Sequence, residues 1–233
     1  MTAAPPASAC LFDLDGTLAD TAPDLAAALN RVRAENGRPP LPVDVLRPMA
    51  SHGARGLLQV GMDVGVDDPR YPALKESFLA HYLAAIDAQT RLFDGVAALL
   101  ARLHDVGVPW GIVTNKLGAY TGPLVDRLPW PYPPGCVVSG DTAARPKPAP
   151  DPLLHAARQL GHPPQTCIYV GDDLRDIQAA RAAGMHAVAA AYGYCGRSEP
   201  ETWEADAIIA HPLELLSPGL ISWSGDLDNR IRT

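Results

Sequence analysis

The sequence lacks a long apolar segment and a cationic leader. No apolar run approaches the roughly 18 residues of a membrane-spanning helix. The first basic residue is Arg31, so the N-terminal stretch lacks the charged region of a secretory signal peptide. These absences predict a cytoplasmic protein without a membrane partner.

Cysteine is also scarce, with 4 in 233 residues and no CxxC pair. Cys10, Cys136 and Cys167 fall in apolar runs that predict strands, and Cys195 falls in a predicted loop. So few cysteines in a chain of this length do not make a disulfide framework. We expect thiols packed in the interior rather than metal ligands.

Basic residues are outnumbered, 19 Lys and Arg against 26 Asp and Glu, and they do not cluster. Nucleic-acid binding normally needs a basic patch, so we expect no nucleic-acid partner. A small anionic substrate is compatible with the net charge of −7, provided that a local cationic site overcomes the general repulsion.

Short apolar runs rich in β-branched residues alternate with helical patterns over most of the chain. This alternation predicts an α/β fold, a doubly wound parallel sheet with a Rossmann-like core. The runs are almost continuously apolar, as in strands covered on both faces. The candidate strands are residues 9–13, 108–114, 136–139, 167–171, 186–190 and 207–210.

Residues 19–91 interrupt the alternation with helical patterns and no strand pattern. Thr21 is placed to cap one helix, and Pro72 opens another. We therefore divide the chain into an α/β catalytic core, residues 1–18 and 92–233, and an inserted small helical cap, residues 19–91. A cap in this position can close over the loop after the first strand.

The chain after Pro218 shows no pattern and predicts a mobile tail. Two tryptophans, Trp203 and Trp223, are compatible with an interface, but local packing is the more common role of a lone tryptophan near a chain end. The oligomeric state stays open between monomer and homodimer.

Four polar segments follow predicted strands, at the end of a sheet where ligands bind in α/β folds. Taken singly, each has an ordinary explanation as a turn, a helix cap or a solvated charge. They are Asp13-Leu14-Asp15-Gly16-Thr17, Thr114-Asn115-Lys116, Arg145-Pro146-Lys147-Pro148-Ala149-Pro150 and Gly171-Asp172-Asp173-Leu174-Arg175-Asp176.

The carboxylates of the first and last segments would repel one another if the fold brought them together. A bound Mg²⁺ would remove that repulsion, and hard carboxylate oxygens are its preferred ligands. Lys147, stiffened by the flanking prolines, can neutralise both a carboxylate and a phosphate. The pattern indicates phosphoryl chemistry.

In this order and strand context, the four segments resemble the motifs of the haloacid dehalogenase superfamily of Mg²⁺-dependent phosphotransferases. The motifs are DxDGT, a strand-ending Ser or Thr, a Lys and GDxxxD, and all four are intact. The resemblance spans roughly residues 10–216 and includes the small helical cap.

The resemblance implies that Asp13 is the nucleophile, forming an aspartyl-phosphate, and that Asp15 is the general acid and base. It implies that Thr114 and Asn115 hold the phosphate. Lys147 would steady Asp13 and the transferring phosphoryl group.

For the metal site, the resemblance implies Mg²⁺ held by Asp13, by Asp172 and by the backbone carbonyl of Asp15. Asp173 and Asp176 are expected to act from outside the direct ligand set or through water. Thr17 is expected beside them.

The segment Ser51-His52-Gly53-Ala54-Arg55 is similar to the substrate-reading loop of the family's cap. His52 and Arg55 are therefore candidates for substrate contact, with Arg55 facing an anionic group. A solvated surface arginine is an equally good interpretation.

The expected substrate is a small phosphorylated metabolite. The catalytic segments and Tyr192-Gly193-Tyr194 are most similar to phosphoglycolate phosphatases, which favours 2-phosphoglycolate. Residues 92–95, 110–116 and 171–177 are similar to relatives acting on N-acetylmuramic acid 6-phosphate, so that or another sugar phosphate is the alternative.

Three other functions are disfavoured by single residues. Related phosphomutases tend to have Val where Thr17 stands, which favours hydrolysis. A dehalogenase of this fold needs no second aspartate, yet Asp15 is present. A non-catalytic phosphate-binding module would be free to lose Asp13 or Lys147, and both are retained.

Overall fold

A parallel sheet forms the centre of the molecule. The structure, a computed structural model, describes residues 6–196 and 198–224. The strands, numbered in chain order, are β1 (Ala9–Phe12), β2 (Ala19–Asp20), β3 (Arg91–Leu92), β4 (Trp110–Val113), β5 (Cys136–Val138), β6 (Cys167–Gly171), β7 (His186–Ala190) and β8 (Ala207–Ile209). In the described part of the chain, six of them pair in parallel in the order β5-β4-β1-β6-β7-β8. The predicted doubly wound α/β fold is confirmed. Both boundaries of each of the six predicted strands lie within two residues of the observed boundaries.

Helices connect the strands. They are α1 (Ala22–Glu35), α2 (Val43–Leu46), α3 (Gly53–Met62), α4 (Tyr71–Ala84), α5 (Val96–Asp105), α6 (Gly118–Arg127), α7 (Asp151–Leu160) and α8 (Leu174–Ala183). Short 3₁₀ turns occupy Arg47–His52, Pro164–Thr166, Pro200–Thr202 and Pro212–Leu216. None of the helices in the described ranges is both long and apolar enough to cross a bilayer.

Strand β1 lies in the middle of the sheet, between β4 and β6. Its side chains alternate between two apolar layers: Cys10 and Phe12 pack in one, and Ala9 and Leu11 pack in the other. Successive side chains of a strand point to opposite faces, so a strand covered on both faces is apolar throughout. This central position places the residues that follow β1 at the middle of the sheet edge.

Helices α1 to α4 lie between β2 and β3, as the helical patterns predicted. The expectation of no strand in residues 19–91 is wrong at both ends of this segment. Ala19 and Asp20 form β2, which pairs antiparallel with β3 at Arg91 and Leu92. Each of these strands has only two residues, which is too short to give a periodic signal. The Asp24 carboxylate accepts hydrogen bonds from the backbone N–H groups of Gln89 and Thr90, tying α1 to the returning chain.

The prediction of a mobile tail after Pro218 is wrong for residues 219–224. Trp223 is buried, 4% exposed, and it forms a parallel bridge with Ala7. Trp203 is buried as well, so both tryptophans pack locally. A single anchoring side chain leaves no periodic pattern in the sequence. Residues 225–233 of the predicted tail lie outside the described residues.

We expect Trp223→Ala to lower the free energy of unfolding by about 3 kcal/mol, because it removes a large buried side chain. Urea denaturation measures this change. Leu213→Ala is the control, since Leu213 is 39% exposed, and it should change stability by less than about 0.5 kcal/mol. Equal stability of Trp223→Ala and the wild type would contradict the packing described for this segment.

Candidate active site

Three buried carboxylates meet at the C-terminal edge of the sheet. Asp13 follows β1, Asp172 follows β6, and Asp176 lies in the first turn of α8. β1 and β6 are neighbours, with Phe12 opposite Val170, so the residues that follow them emerge side by side. One oxygen of each carboxylate lies within 4.8 Å of the others.

Lys147 supplies positive charge to this cluster. Its ammonium nitrogen lies 2.9 Å from Asp13 Oδ1 and 2.7 Å from Asp176 Oδ1. It also donates to the Tyr169 hydroxyl and to the Val113 carbonyl. Burial alone would lower the pKa of Lys147, but the charges of Asp13 and Asp176 outweigh burial and raise it. The lysine is therefore held as a cation beneath the site.

Asp172 is stabilised by neutral donors instead. Thr17 donates its hydroxyl to Oδ1 at 2.9 Å, and the backbone N–H of Tyr194 donates to Oδ2 at 3.0 Å. The Ser51 hydroxyl reaches Oδ2 at 3.3 Å. Burial, and then the charges of Asp13 and Asp176, raise the pKa of Asp172 well above its usual range. Its negative charge is therefore unfavourable without a further cation.

Two glycines allow the backbone to press against Asp172. A Cβ at Gly16 would lie 2.1 Å from Asp172 Oδ2, and one at Gly193 would lie 2.3 Å from Asp172 Cβ. Gly16 also has a φ of +90°, which side chains rarely adopt. Neither glycine position has room for a side chain, so the backbone there packs directly against this carboxylate.

The donor set fits a small divalent cation. Three carboxylates face one ammonium group, which leaves excess negative charge in a buried place. Carboxylate oxygens are hard donors of the kind that Mg²⁺ prefers. Asp176, expected outside the direct ligand set, lies in the same cluster as Asp13 and Asp172.

Asp15 has a different environment from Asp13, although only one residue separates them. Its Oδ1 accepts a hydrogen bond from the Lys116 ammonium at 2.7 Å and one from the Thr21 hydroxyl at 2.5 Å. Thr21 precedes α1, but its side chain makes no capping hydrogen bond, so the expected cap is replaced by this contact. The two aspartates are therefore paired with separate lysines.

Lys116 is the residue whose role the sequence interpretation missed. It was part of the Thr-Asn-Lys segment, but nothing in the sequence showed which carboxylate its side chain would reach. The side chain is almost fully buried, and Asp15 is its ion-pair partner. Burial would lower the pKa of Lys116, but the Asp15 charge dominates and raises it.

The phosphate-holding candidates lie beside Lys147. Thr114 is buried, and its hydroxyl accepts a hydrogen bond from the Lys116 N–H. The Asn115 side chain bonds both the N–H and the carbonyl of Lys147, each at 2.9 Å. Asn115 therefore fixes the loop that carries Lys147, and its contact with phosphate stays a prediction.

Asp173 and Arg175 connect the core to the insert. Asp173 caps α8 by accepting from the Arg175 N–H, and the two side chains form an ion pair at 2.7 Å. Arg175 also donates to the Ser51 carbonyl at 2.9 Å. The Asp173 side chain is thus engaged by Arg175, while its backbone N–H donates to Asp176 Oδ2 at 3.1 Å.

Tyr194 connects the same site to the start of α1. Its hydroxyl accepts hydrogen bonds from the backbone N–H groups of Thr21 at 2.7 Å and Ala22 at 2.9 Å. Its own backbone N–H is bound to Asp172. One residue therefore contacts both a catalytic-site carboxylate and the first helix of the insert.

A cavity of about 330 Å³ lies between the carboxylates and the inserted helices. Asp13, Asp15 and Lys147 lie on its core side, and the candidates His52 and Arg55 lie on the insert side. Its wall also contains apolar and aromatic side chains, namely Leu25, Tyr71, Phe78, Leu79, Tyr82, Leu117 and Tyr120. The wall of the cavity therefore combines charged side chains with apolar and aromatic ones.

Comparisons with known proteins agree with this geometry. The family model described as haloacid dehalogenase-like hydrolase matches residues 10–190. A phosphoglycolate phosphatase of Xanthomonas campestris pv. campestris is 44% identical over 211 residues, covering 90% of this chain and 95% of the relative. An N-acetylmuramic acid 6-phosphate phosphatase of Pseudomonas aeruginosa is 40% identical over 209 residues, covering 89% and 92%.

Comparison with solved structures also finds a similar phosphatase fold. The crystal structure of a protein described as a predicted phosphoglycolate phosphatase from Haemophilus somnus 129PT has a TM-score of 0.80 and 25% identity to this chain. The match covers 90% of this chain and 96% of the other. The chain therefore belongs to the haloacid dehalogenase-like hydrolase family. Within that family it is an enzyme of the phosphatase class, similar to the two relatives above.

We expect Lys147→Met to lower the free energy of unfolding by about 3–5 kcal/mol in the presence of a chelator, because three buried carboxylates lose their ammonium. Urea denaturation at pH 7 measures the change. Arg127→Met is the control: it breaks the exposed pair with Asp87 and should cost less than about 1 kcal/mol. A Lys147→Met variant as stable as the control would contradict this electrostatic account.

Proposed function

We propose that the protein is a Mg²⁺-dependent phosphomonoester hydrolase that works through an aspartyl-phosphate and acts on 2-phosphoglycolate. The observation that supports this most strongly is the buried set of three carboxylates and one lysine around Asp13, of which Asp13, Asp176 and Lys147 line the cavity. Phosphoryl transfer depends above all on positioning and charge neutralisation, and this set supplies both.

In the first half-reaction an Asp13 oxygen bonds to phosphorus, and the bond between phosphorus and the ester oxygen breaks. Asp15, in its protonated form, gives its proton to the departing oxygen. Lys147 neutralises charge on Asp13 from 2.9 Å. Thr114 and the backbone N–H groups beside it hold the phosphoryl oxygens.

In the second half-reaction Asp15 takes a proton from a water molecule, which attacks phosphorus. The bond between phosphorus and Asp13 breaks, and phosphate leaves. Asp13, Asp172 and the backbone carbonyl of Asp15 would hold Mg²⁺, with Asp176 close by. When bound, the ion supplies positive charge to the transferring phosphoryl group and offsets the carboxylate repulsion.

The named activity of the Xanthomonas relative supports 2-phosphoglycolate as the substrate. A second candidate, N-acetylmuramic acid 6-phosphate, is supported by the Pseudomonas relative and by the size and aromatic wall of the cavity. A sugar ring would cover aromatic surface that a two-carbon acid leaves exposed. We further propose that the enzyme works in the cytoplasm as a monomer or homodimer.

Asp13→Asn should abolish phosphate release, because an amide oxygen is a poor nucleophile, while the fold stays intact. The same loss is expected when a chelator removes Mg²⁺ from the wild type. Phosphate release and circular dichroism measure the two properties. Activity that persists in the variant, or in the chelated enzyme, refutes the mechanism. Glu201→Gln, an exposed change outside the site, is the control and should keep full activity.

A substrate panel decides between the candidates. With Mg²⁺, kcat/KM should be highest for 2-phosphoglycolate, lower for N-acetylmuramic acid 6-phosphate and lowest for simple hexose phosphates. If kcat/KM is higher for N-acetylmuramic acid 6-phosphate than for 2-phosphoglycolate, the sugar phosphate is the substrate instead. Conversion of glucose 1-phosphate to the 6-phosphate without phosphate release would identify a mutase.

A further inference from the structure

We propose that Lys116 and Tyr82 bind a carboxylate of the substrate next to its ester oxygen, so that the enzyme selects phosphate esters of 2-hydroxy acids. This inference rests on the proposed phosphatase function and names the substrate group that the site recognises. Glycolate is the smallest 2-hydroxy acid.

Lys116 brings a positive charge to the cavity on the side of Asp15. Its side chain is only 10% exposed, and both residues line the cavity. An ammonium group has three N–H donors, and the hydrogen bond to Asp15 uses one of them. A charge so little screened by water attracts an anion more strongly than the exposed Arg55 does.

Tyr82 adds a buried hydroxyl beside Lys116. The residue lies in α4, is 2% exposed and lines the same cavity. Within residues 6–196 and 198–224, its buried hydroxyl has no hydrogen-bond partner. The Lys116 ammonium lies 4.8 Å from the centre of its ring. Burying an unpaired hydroxyl is costly, so its position beside a cation in a cavity points to a bound polar group.

The Tyr82 hydroxyl can act as a donor throughout the neutral range. Burial raises the pKa of Tyr82 to about 12, so the phenol keeps its proton. Phe78 stacks parallel to the ring, and Tyr120 packs at a tilt against it. A phenol and an ammonium side by side form a pair of donors suited to a carboxylate.

The reaction geometry fixes where that carboxylate lies. To receive a proton, the ester oxygen must come within hydrogen-bond distance of Asp15. In 2-phosphoglycolate a single carbon separates this oxygen from the carboxyl group. Lys116, 2.7 Å from Asp15, is then within reach of the carboxylate. In N-acetylmuramic acid 6-phosphate the carboxylate belongs to the lactyl ether on C3, many bonds away from the ester on C6.

The test compares 2-phosphoglycolate with ethyl phosphate, which has the same ester and no carboxylate. The wild type should prefer 2-phosphoglycolate by at least about 100-fold in kcat/KM. Lys116→Met also removes a partner of Asp15, and this loss should slow the hydrolysis of both substrates. The ratio of kcat/KM for 2-phosphoglycolate to kcat/KM for ethyl phosphate therefore measures carboxylate recognition alone. We expect that ratio to fall by about 10- to 100-fold.

Tyr82→Phe removes only the hydroxyl and keeps the ring. It should raise KM for 2-phosphoglycolate by about 5- to 10-fold and leave ethyl phosphate unchanged. Since the hydroxyl has no geometrically formed hydrogen bond within the described ranges, Tm should stay the same or rise. Lys75→Met is the matched control, because Lys75 is an exposed lysine on the same cavity, and it should change the ratio by less than about twofold.

The outcomes of these experiments distinguish failure of the carboxylate site from failure of the proposed phosphatase function. A wild type that hydrolyses both esters equally well, or variants that slow both equally, overturns the carboxylate site while the phosphatase function stands. If Tyr82→Phe lowers Tm and leaves the ratio of kcat/KM values unchanged, the hydroxyl has a structural role. That result overturns the proposal that it binds the carboxylate. Release of phosphate from neither ester removes the function and the inference together. If Lys116→Met does not fold, Tyr82→Phe still decides.

Discussion

Repulsion between buried negative charges is the constraint on which the rest of this structure depends. Asp13, Asp172 and Asp176 lie within 4.8 Å of one another, and Lys147 is the ammonium group that contacts two of them. In a medium of low dielectric such charges interact strongly, so each must be matched by donors or cations. The donors to Asp172 and the loop that holds Lys147 both meet this requirement.

The second consequence is a difference in surroundings between two aspartates that are nearly adjacent in sequence. Asp13 is paired with Lys147, among carboxylates, whereas Asp15 is paired with Lys116 beside the apolar wall of the cavity. Different surroundings allow two carboxyl groups of the same kind to take different roles. The surroundings of the two aspartates are therefore set by lysines more than 100 positions further along the chain.

The fold was largely predictable because its signals are local. Continuous apolar runs such as Cys167–Gly171 mark covered strands wherever they occur, and motif order places Asp13 and Asp172 at one sheet edge. What was missed depends on contacts between distant residues. The partner of Lys116 and the anchoring of Trp223 against Ala7 are set by the folded chain and leave no periodic trace in the sequence.

Tyr194 gives the molecule a property that matters to anyone reading a mutational screen. Its phenol holds the first turn of α1, and its backbone N–H holds Asp172. We therefore expect a substitution at Ala22 to disturb Asp172, a carboxylate that Ala22 does not touch. In a library scored only by turnover, such a variant has the phenotype of a damaged catalytic residue, although its lesion lies at the root of the inserted helices.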